Sequence, residues 1–209
     1  KWRWMLDHVQ EVLTAAQNGT LALGTIESWL VWNLSGGAHV SDASNASRTL
    51  LLPLDRSGFD PELCDLFGIP YSSLPEVVDT AGPIATCDPS WFGAAIPICG
   101  LAGDQQAATI GQGCLSAGAT KATFGSGAFI LTSTGRMSPR SEHRLLTTVL
   151  SQVGGERHFA LEGSIFVAGS MIEWLRDGLG WIEDPAETEA MAGALHWVFL
   201  GMLVIGAGA

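Results

Sequence analysis

The sequence predicts an α/β protein that comprises parts of two lobes enclosing a cleft. Up to about residue 113, short apolar runs typical of buried strands alternate with segments of helical periodicity. From Ala119 the pattern changes to paired strand-like runs around glycine-bearing turns, and a helical pattern follows them. We therefore place a boundary near residues 113–118 and divide the chain into residues 1–115 and residues 116–209.

The elements of residues 1–115 follow from periodicity and from capping residues. Apolar residues recur at three- and four-residue steps over residues 1–18, and Gly19 suits the end of such a helix. Asp60-Pro61-Glu62 combines a cap, a proline in the first helical position and an acidic first turn, which predicts a helix start. A second helix is predicted to be capped by Thr25, to run through Leu34 and to stop at Gly36-Gly37. The other predicted elements are a helix over 1–18, a strand over 21–23, a helix from Asp60 to Gly68, a turn-rich stretch over 71–93, a strand over 96–99 and a helix at Asp104.

Residues 116–209 are predicted to begin with two β-hairpins, whose turns are Gly125-Ser126-Gly127 and Gly154-Gly155. The predicted strands are 121–124 and 128–132 in the first hairpin and 145–152 and 157–161 in the second, and a helix is predicted over 164–177. This order is typical of the ribonuclease-H-like (actin-like ATPase) fold, in which two such lobes enclose a cleft.

Composition and charge restrict the class of function. The chain has 209 residues, of which 47% are hydrophobic and 15% charged, as in a globular protein with a sizeable core. Because its formal net charge is −11, we expect no nucleic-acid and no membrane binding. The four cysteines form no C-x-x-C pair and no metal spacing with the histidines, so no metal site is predicted. We expect Cys99 and Cys114 to lie in the core and the protein to be cytoplasmic.

Residues 100–113 carry the strongest indication of chemistry. The polar step Asp104-Gln105-Gln106 follows the strand-like run 96–99 and opens an alanine-rich helical segment. A carboxylate and an amide would then stand where a strand ends and a helix begins, which is where open α/β sheets bind ligands. The alternative is that Asp104 serves only as the helix N-cap, because Asp is a favoured cap.

The turn Gly125-Ser126-Gly127 is the second candidate. Glycines let backbone N–H groups face an anion, and the Ser126 hydroxyl adds a donor, so this turn is a candidate phosphate cradle. The alternative is an ordinary hairpin turn, since glycine is common there.

Four longer motifs occur together along the chain. They are K-W-R-W-M-L-D from Lys1, S-D-A-S-N-A-S-R-T from Ser41, A-G-D-Q-Q-A-A from Ala102 and L-E-G-S-I-F-V-A-G from Leu161. In this order and spacing, the stretch from Lys1 to about Trp181 resembles the FGGY family of carbohydrate kinases, and within it the glycerol kinases. The set is far more specific than one short motif.

The resemblance implies ATP-dependent phosphorylation of a polyol, with glycerol to sn-glycerol 3-phosphate as the leading prediction. It implies ATP and Mg²⁺ as cofactors, glycerol or a related polyol or sugar as the ligand, and a homo-oligomer. Residues 1–115 would then be the C-terminal part of a substrate-side lobe, and residues 116–209 the N-terminal part of a nucleotide-side lobe.

The same resemblance implies roles for single residues. Asp104 would be the general base, Gln105 its hydroxyl-binding partner, and Trp4 and Phe129 walls of the polyol pocket. The nucleotide-binding residues would be Gly125, Ser126, Gly127, Gly169 and Glu173. Two positions depart from the glycerol kinases, since Glu173 stands where Gln is usual and Ala43 where Tyr is usual.

Alternatives to glycerol phosphorylation stay open. Ala43 lacks the phenol that would help hold a polyol hydroxyl, so a kinase for another sugar, such as the pentulose xylulose, is the second hypothesis. The chain begins at Lys1 and the run 195–209 loses the family match, so we also expect a truncated central fragment, a non-catalytic remnant that is inactive alone.

Two local predictions follow from spacing. Trp2 and Trp4 are two residues apart and cannot share one face of a helix, so one should pack inward and the other face outward. Asp42 and Arg48 are expected to pair or cap locally and not to touch substrate.

Overall fold

The computed structural model describes residues 1–194, and the chain divides into two compact units. The first unit comprises Lys1–Lys121 and Leu131–Gly163, and the second comprises Ala122–Ile130 and Ser164–Ala209, described up to residue 194. The run 195–209, where the sequence departs from the resemblance, lies outside the described residues. The predicted division at residue 115 concerns the lobes of a whole kinase and stays a prediction.

Helices supply most of the regular structure before residue 112. They are α1 (Trp2–His8), α2 (Gln10–Gln17), α3 (Ile26–Ser35), α4 (Ala43–Ala46), α5 (Pro61–Phe67), α6 (Pro89–Phe92) and α7 (Asp104–Gly111), with 3-10 turns at Ser47–Thr49 and Tyr71–Ser73. In the second unit, α8 (Gly169–Glu173) continues into a π-helical turn at Trp174–Gly178, and residues 187–194 are helical.

Within residues 1–194 the strands form three sheets. They are β1 (Val40–Asp42), β2 (Glu76–Val78), β3 (Ala81–Thr86), β4 (Pro97–Gly100), β5 (Thr120–Phe124), β6 (Ala128–Gly135), β7 (Leu146–Val153) and β8 (Glu156–Ile165). Strands β1 and β2 pair in parallel, and β3 and β4 pair antiparallel with a register shift between Ala81 and Ala85. The four-stranded sheet has the order β5-β6-β8-β7.

The turn between β7 and β8 depends on its two glycines. Val153 pairs with Glu156 across Gly154 and Gly155, whose φ angles are +60° and +75°. A two-residue hairpin of this kind needs left-handed conformations at both central positions, which glycine adopts without steric cost. The predicted second hairpin is confirmed.

The core of the first unit is an apolar cluster that joins its amino-terminal helices to α5. Its buried members are Leu6, Leu23, Ala46, Leu51, Leu52, Phe59, Cys64 and Ile69. A smaller cluster of Ala43, Val149 and Phe159 packs α4 against the β7–β8 hairpin. Burial of large side chains such as Leu51 contributes roughly 1.5–3 kcal/mol each, so these clusters hold α4 and its neighbours in place.

Capping predictions are largely confirmed. Asp60 accepts a hydrogen bond from the Glu62 N–H at 2.9 Å, and α5 ends at Gly68 in the left-handed conformation. Gly36 ends α3 in the same way. Thr25 occupies the N-cap position of α3, but its hydroxyl donates to the Glu27 carboxylate and caps no backbone N–H.

Some predicted boundaries are wrong. The helix predicted over 1–18 is broken at Val9, which is extended and separates α1 from α2. Residues 21–23 form no strand, because the Leu23 N–H donates to the Ser73 carbonyl, outside any ladder. The helix predicted from residue 164 starts at Gly169, since β8 continues to Ile165.

The prediction that Cys99 and Cys114 lie in the core is also wrong. Cys99 is exposed and Cys114 is half-buried, whereas Cys64 and Cys87 are buried. Cys99 lies on β4, which pairs only with β3 among the described residues, so one edge of this strand is uncovered. All four thiols are free. No helix within residues 1–194 has the length and apolar character needed to span a bilayer.

Candidate active site

The first turn of α7 presents the predicted carboxylate to solvent. Gly103 takes the N-cap position and Asp104 is the first helical residue, so the alternative in which Asp104 is the cap is wrong. Asp104 is exposed, and its Oδ1 accepts a hydrogen bond from the Gln105 N–H at 2.7 Å. Within residues 1–194 its second carboxylate oxygen accepts no hydrogen bond, so this oxygen is available to accept a hydrogen bond from a ligand hydroxyl group.

The backbone that carries Asp104 is held by the buried motif at residues 41–49. The Gly103 N–H donates to Ser44 Oγ at 2.9 Å, and that hydroxyl donates to Asp42 Oδ1 at 3.0 Å. Asp42 is fully buried and also accepts from the backbone N–H groups of Ser44 and Asn45 and from the Asn45 and Thr80 side chains. The predicted capping role of Asp42 is confirmed, and the cap is tied to the first turn of α7.

Gln106 anchors the same turn from below. Its buried side-chain amide donates to Thr148 Oγ1 at 3.2 Å and to the Val149 carbonyl at 3.3 Å. A Cβ on Gly103 would lie 2.5 Å from Gln106 Oε1, so any larger residue at position 103 would displace this amide.

Arg48 and Glu162 connect two of the sequence motifs through a bidentate ion pair. The guanidinium donates to both carboxylate oxygens, at 2.9 and 3.0 Å, and its Nη1 lies 3.4 Å from Thr148 Oγ1. Glu162 is 3% exposed, so this ion pair supplies hydrogen bonds to a carboxylate that water scarcely reaches. Arg48 therefore pairs as predicted, but with a residue 114 positions away and not locally.

Lys121 is the site residue that sequence reasoning missed. Its side chain is 1% exposed, and its Nζ donates to Gln105 Oε1 at 2.5 Å. Burial lowers the pKa of the Lys121 ammonium, while the nearby carboxylates of Asp104 and Glu162 act to raise it. One feature of the sequence could have drawn attention to it: Lys121 is the only lysine or arginine between Arg56 and Arg136.

The two amino-terminal tryptophans divide as predicted. Trp2 packs against the core, whereas Trp4 is 59% exposed and stacks on the His8 ring, with ring centroids 4.9 Å apart. None of the hydrogen bonds or ring contacts within the described residues joins Trp4 to Asp104 or Gln105. A cavity of about 510 Å³ near α1 is lined by Trp2, Arg48 and Leu50, among others, and not by Asp104.

Ala43 does not border an open cavity. It is fully buried and packs with Val149 and Phe159. Where the glycerol kinases usually have tyrosine, this structure therefore has a small side chain enclosed by apolar neighbours.

In the second unit, the turn at residues 125–127 is seated against the start of α8. The Gly125 N–H donates to the Gly127 carbonyl at 2.8 Å, and the N–H groups of Ala168 and Gly169 donate to the carbonyls of Ser126 and Gly125. Cβ atoms on Gly127 and Gly169 would lie 2.5 and 2.6 Å from backbone oxygens, so close backbone approach explains both glycines.

The donors left for an anion at this turn are few. The N–H groups of Ser126 and Gly127 and the Ser126 hydroxyl have no acceptor within the described residues, whereas the Gly125 N–H is already used. Of the other predicted residues of this unit, Phe129 is half-buried on β6, Gly169 begins α8 and Glu173 is the exposed last residue of α8.

These donors fit a phosphate group better than a metal ion. Within residues 1–194, no three His, Cys, Asp or Glu side chains come close enough together to hold a metal. The chemistry of the donor set is that of backbone and hydroxyl hydrogen bonds to anionic oxygen.

The chain is similar to known proteins over most of its length. The profile described as FGGY family of carbohydrate kinases, N-terminal domain, matches residues 1–111. A glycerol kinase of Methylobacterium nodulans is 53% identical over 193 residues, which are 92% of this chain and 38% of that relative. The chain thus spans well under half the length of this relative.

Solved structures give the same result for the fold. The crystal structure of Plasmodium falciparum glycerol kinase with ADP has a TM-score of 0.82 and 35% identity, and covers 89% of this chain and 38% of that one. A xylulose kinase from Rhodospirillum rubrum has a TM-score of 0.71 at 23% identity, with 86% of this chain and 36% of that one covered, and shows likeness of fold alone.

Proposed function

Because this chain belongs to the FGGY family of carbohydrate kinases, we propose that its protein phosphorylates a polyol at the expense of ATP, with glycerol as substrate and sn-glycerol 3-phosphate as product. The observation that carries this proposal is the first turn of α7. There an exposed carboxylate, Asp104, stands beside Gln105, and buried polar groups fix both.

Asp104 acts as the general base in this proposal. It accepts the proton of the substrate hydroxyl while that oxygen forms a bond to the γ-phosphorus and the bond to the ADP oxygen breaks. Gln105 binds a substrate hydroxyl, and Trp4 and Phe129 supply apolar walls. General base catalysis of this type contributes about a hundredfold to ten-thousandfold in rate.

The nucleotide side of the proposal rests on the turn at residues 125–127. The N–H groups of Ser126 and Gly127 and the Ser126 hydroxyl would donate to phosphate oxygens, and Gly169 and Glu173 would lie at the nucleotide. Mg²⁺, when bound with ATP, would neutralise charge that builds up on the transferred phosphoryl group.

Glycerol is favoured over a pentulose by the 53% identity to a relative named as a glycerol kinase. The pentulose alternative has weaker support, since the xylulose kinase is 23% identical and shares the fold. A cytoplasmic location agrees with four free thiols, and a homo-oligomer stays a prediction from family membership.

The direct test is an ADP-release assay of the full-length protein with glycerol, xylulose and gluconate. We expect glycerol to have the highest kcat/KM, and a higher value for xylulose would favour the pentulose alternative. The Asp104→Asn variant is nearly isosteric, and we expect its kcat to fall at least about a hundredfold with little change in Tm.

Asp88→Asn is the matched control. Asp88 is also exposed, and it accepts a hydrogen bond from the Ser90 N–H at the start of α6, as Asp104 does from the Gln105 N–H at the start of α7. This variant should retain kcat. Near-normal turnover by Asp104→Asn would remove Asp104 as the base.

A further inference from the structure

The buried amine of Lys121 fixes which end of the Gln105 amide faces a ligand. A lysine ammonium has three donors and no acceptor, so the Gln105 atom at its Nζ must be the carbonyl oxygen. The side-chain NH₂ of Gln105 therefore points away from Lys121. Within residues 1–194 this NH₂ donates to no protein acceptor, while Gln105 itself is half-buried.

The position of Lys121 is itself fixed. Its side chain is buried on β5, and its charge is balanced by the carboxylates of Asp104 and Glu162. Glu162 is in turn held by both ends of the Arg48 guanidinium. The amine thus cannot follow Gln105 if the amide rotates, and an amide flip would place NH₂ against ammonium.

We propose that Lys121 is a positioning residue that presents the Gln105 NH₂ as a hydrogen-bond donor to a hydroxyl oxygen of the polyol, next to Asp104. The inference rests on the proposed kinase function for its substrate and adds a role for Lys121. The Gln105 NH₂ would donate to the oxygen of one hydroxyl group, and the Asp104 carboxylate would accept the proton of a neighbouring hydroxyl group. The pair would thereby fix the orientation of both hydroxyl groups.

A double-mutant cycle on the full-length protein tests this role. The single variants are Lys121→Met, which keeps the length of the side chain without its charge, and Gln105→Ala. We expect Lys121→Met to raise the KM for glycerol about tenfold and to leave the KM for ATP unchanged, since a hydrogen bond to a charged group is lost. In the Gln105→Ala background, Lys121→Met should have no further effect on the glycerol KM.

Gln105→Glu gives a second, independent measurement. The carboxylate keeps a bond to Lys121 but has no NH₂ donor, so the glycerol KM should rise while the Tm stays at the wild-type value or above. Arg157→Met is the matched control, because Arg157 is a half-buried cation bonded to Gln152 and to the carbonyls of Pro53 and Leu54. It should lower the Tm and leave the glycerol KM unchanged.

The outcomes separate the two proposals. If the wild-type protein phosphorylates none of the polyols tested, the proposed function fails. The double-mutant cycle is then measured by unfolding, where the coupling between Lys121 and Gln105 should change the unfolding equilibrium constant about tenfold. Independent effects of the two substitutions, in KM or in unfolding, would overturn the positioning role while leaving the kinase proposal intact.

Discussion

Gly103, the residue before α7, is where one added methyl group would most directly disturb the candidate site. Its φ of −61° and ψ of 151° are accessible to alanine, so Gly103→Ala brings no backbone strain. The added Cβ would lie 2.5 Å from Gln106 Oε1, whereas ordinary contact begins at 3.4 Å, so the amide must retreat by about 0.9 Å.

The retreat has a calculable consequence because Gln106 is buried and already holds long hydrogen bonds. Its bonds to Thr148 and Val149 measure 3.2 and 3.3 Å, so a shift of this size breaks at least one of them. A buried amide left without a partner costs about 1–3 kcal/mol. We therefore expect Gly103→Ala to lower the free energy of unfolding by about that amount and to lower kcat as Asp104 moves.

Gly111→Ala makes the same chemical change at the other end of α7. No atom lies within 4 Å of the added Cβ, so this variant should be stabilised by about 0.5–1 kcal/mol and keep its kcat. The measurements are urea unfolding and ADP release by the full-length protein. The reasoning is refuted if Gly103→Ala proves as stable as Gly111→Ala.

Three further predictions concern Arg48, Lys121 and Ser126. Arg48→Met leaves the buried Glu162 carboxylate without its partner, so unfolding experiments should show a loss of about 3 kcal/mol, and a loss below 1 kcal/mol would contradict this. Burial lowers the pKa of Lys121 below its ordinary value of 10.5, so on raising the pH the folded protein loses this proton before the unfolded chain does. The free energy of unfolding of wild type should therefore rise relative to that of Lys121→Met as pH approaches 10.5. A difference that stays constant with pH would contradict this prediction. Ser126→Ala should raise the KM for ATP about two- to tenfold, whereas Ser126→Thr, which retains a hydroxyl, should leave it unchanged. If both variants change the KM equally, the Ser126 hydroxyl does not bind the nucleotide.

Local signals in the sequence predicted those elements that local chemistry determines. The Asp60 cap, the left-handed Gly36 and Gly68 and the Gly154-Gly155 hairpin each depend on residues close in sequence, and each was predictable. The break at Val9 and the late start of α8 depend on packing and sheet pairing, which periodicity does not report.

The candidate site was predictable in part for the same reason. Asp104 and Gln105 lie at a strand-to-helix transition that the pattern of residues 96–111 shows. The contact of Lys121 with Gln105 joins residues 16 positions apart in sequence, and that of Arg48 with Glu162 joins residues 114 apart. The isolation of Lys121 distinguishes it in the sequence, but a lysine in a strand pattern is usually solvent-exposed, so only the structure shows that its side chain is buried against Gln105.

The hydrogen bonds beneath α7 also bear on protein engineering. Two sets of contacts from separate stretches of chain meet at the first turn of α7. Ser44 accepts from the Gly103 N–H, and Glu162, Arg48 and Thr148 form a series of hydrogen bonds that ends at Gln106. A chimera that takes only one of these stretches from another kinase would leave buried hydrogen-bond donors or acceptors without partners. Grafting between family members should therefore exchange residues 41–49, 103–106, 121, 148 and 162 as one set.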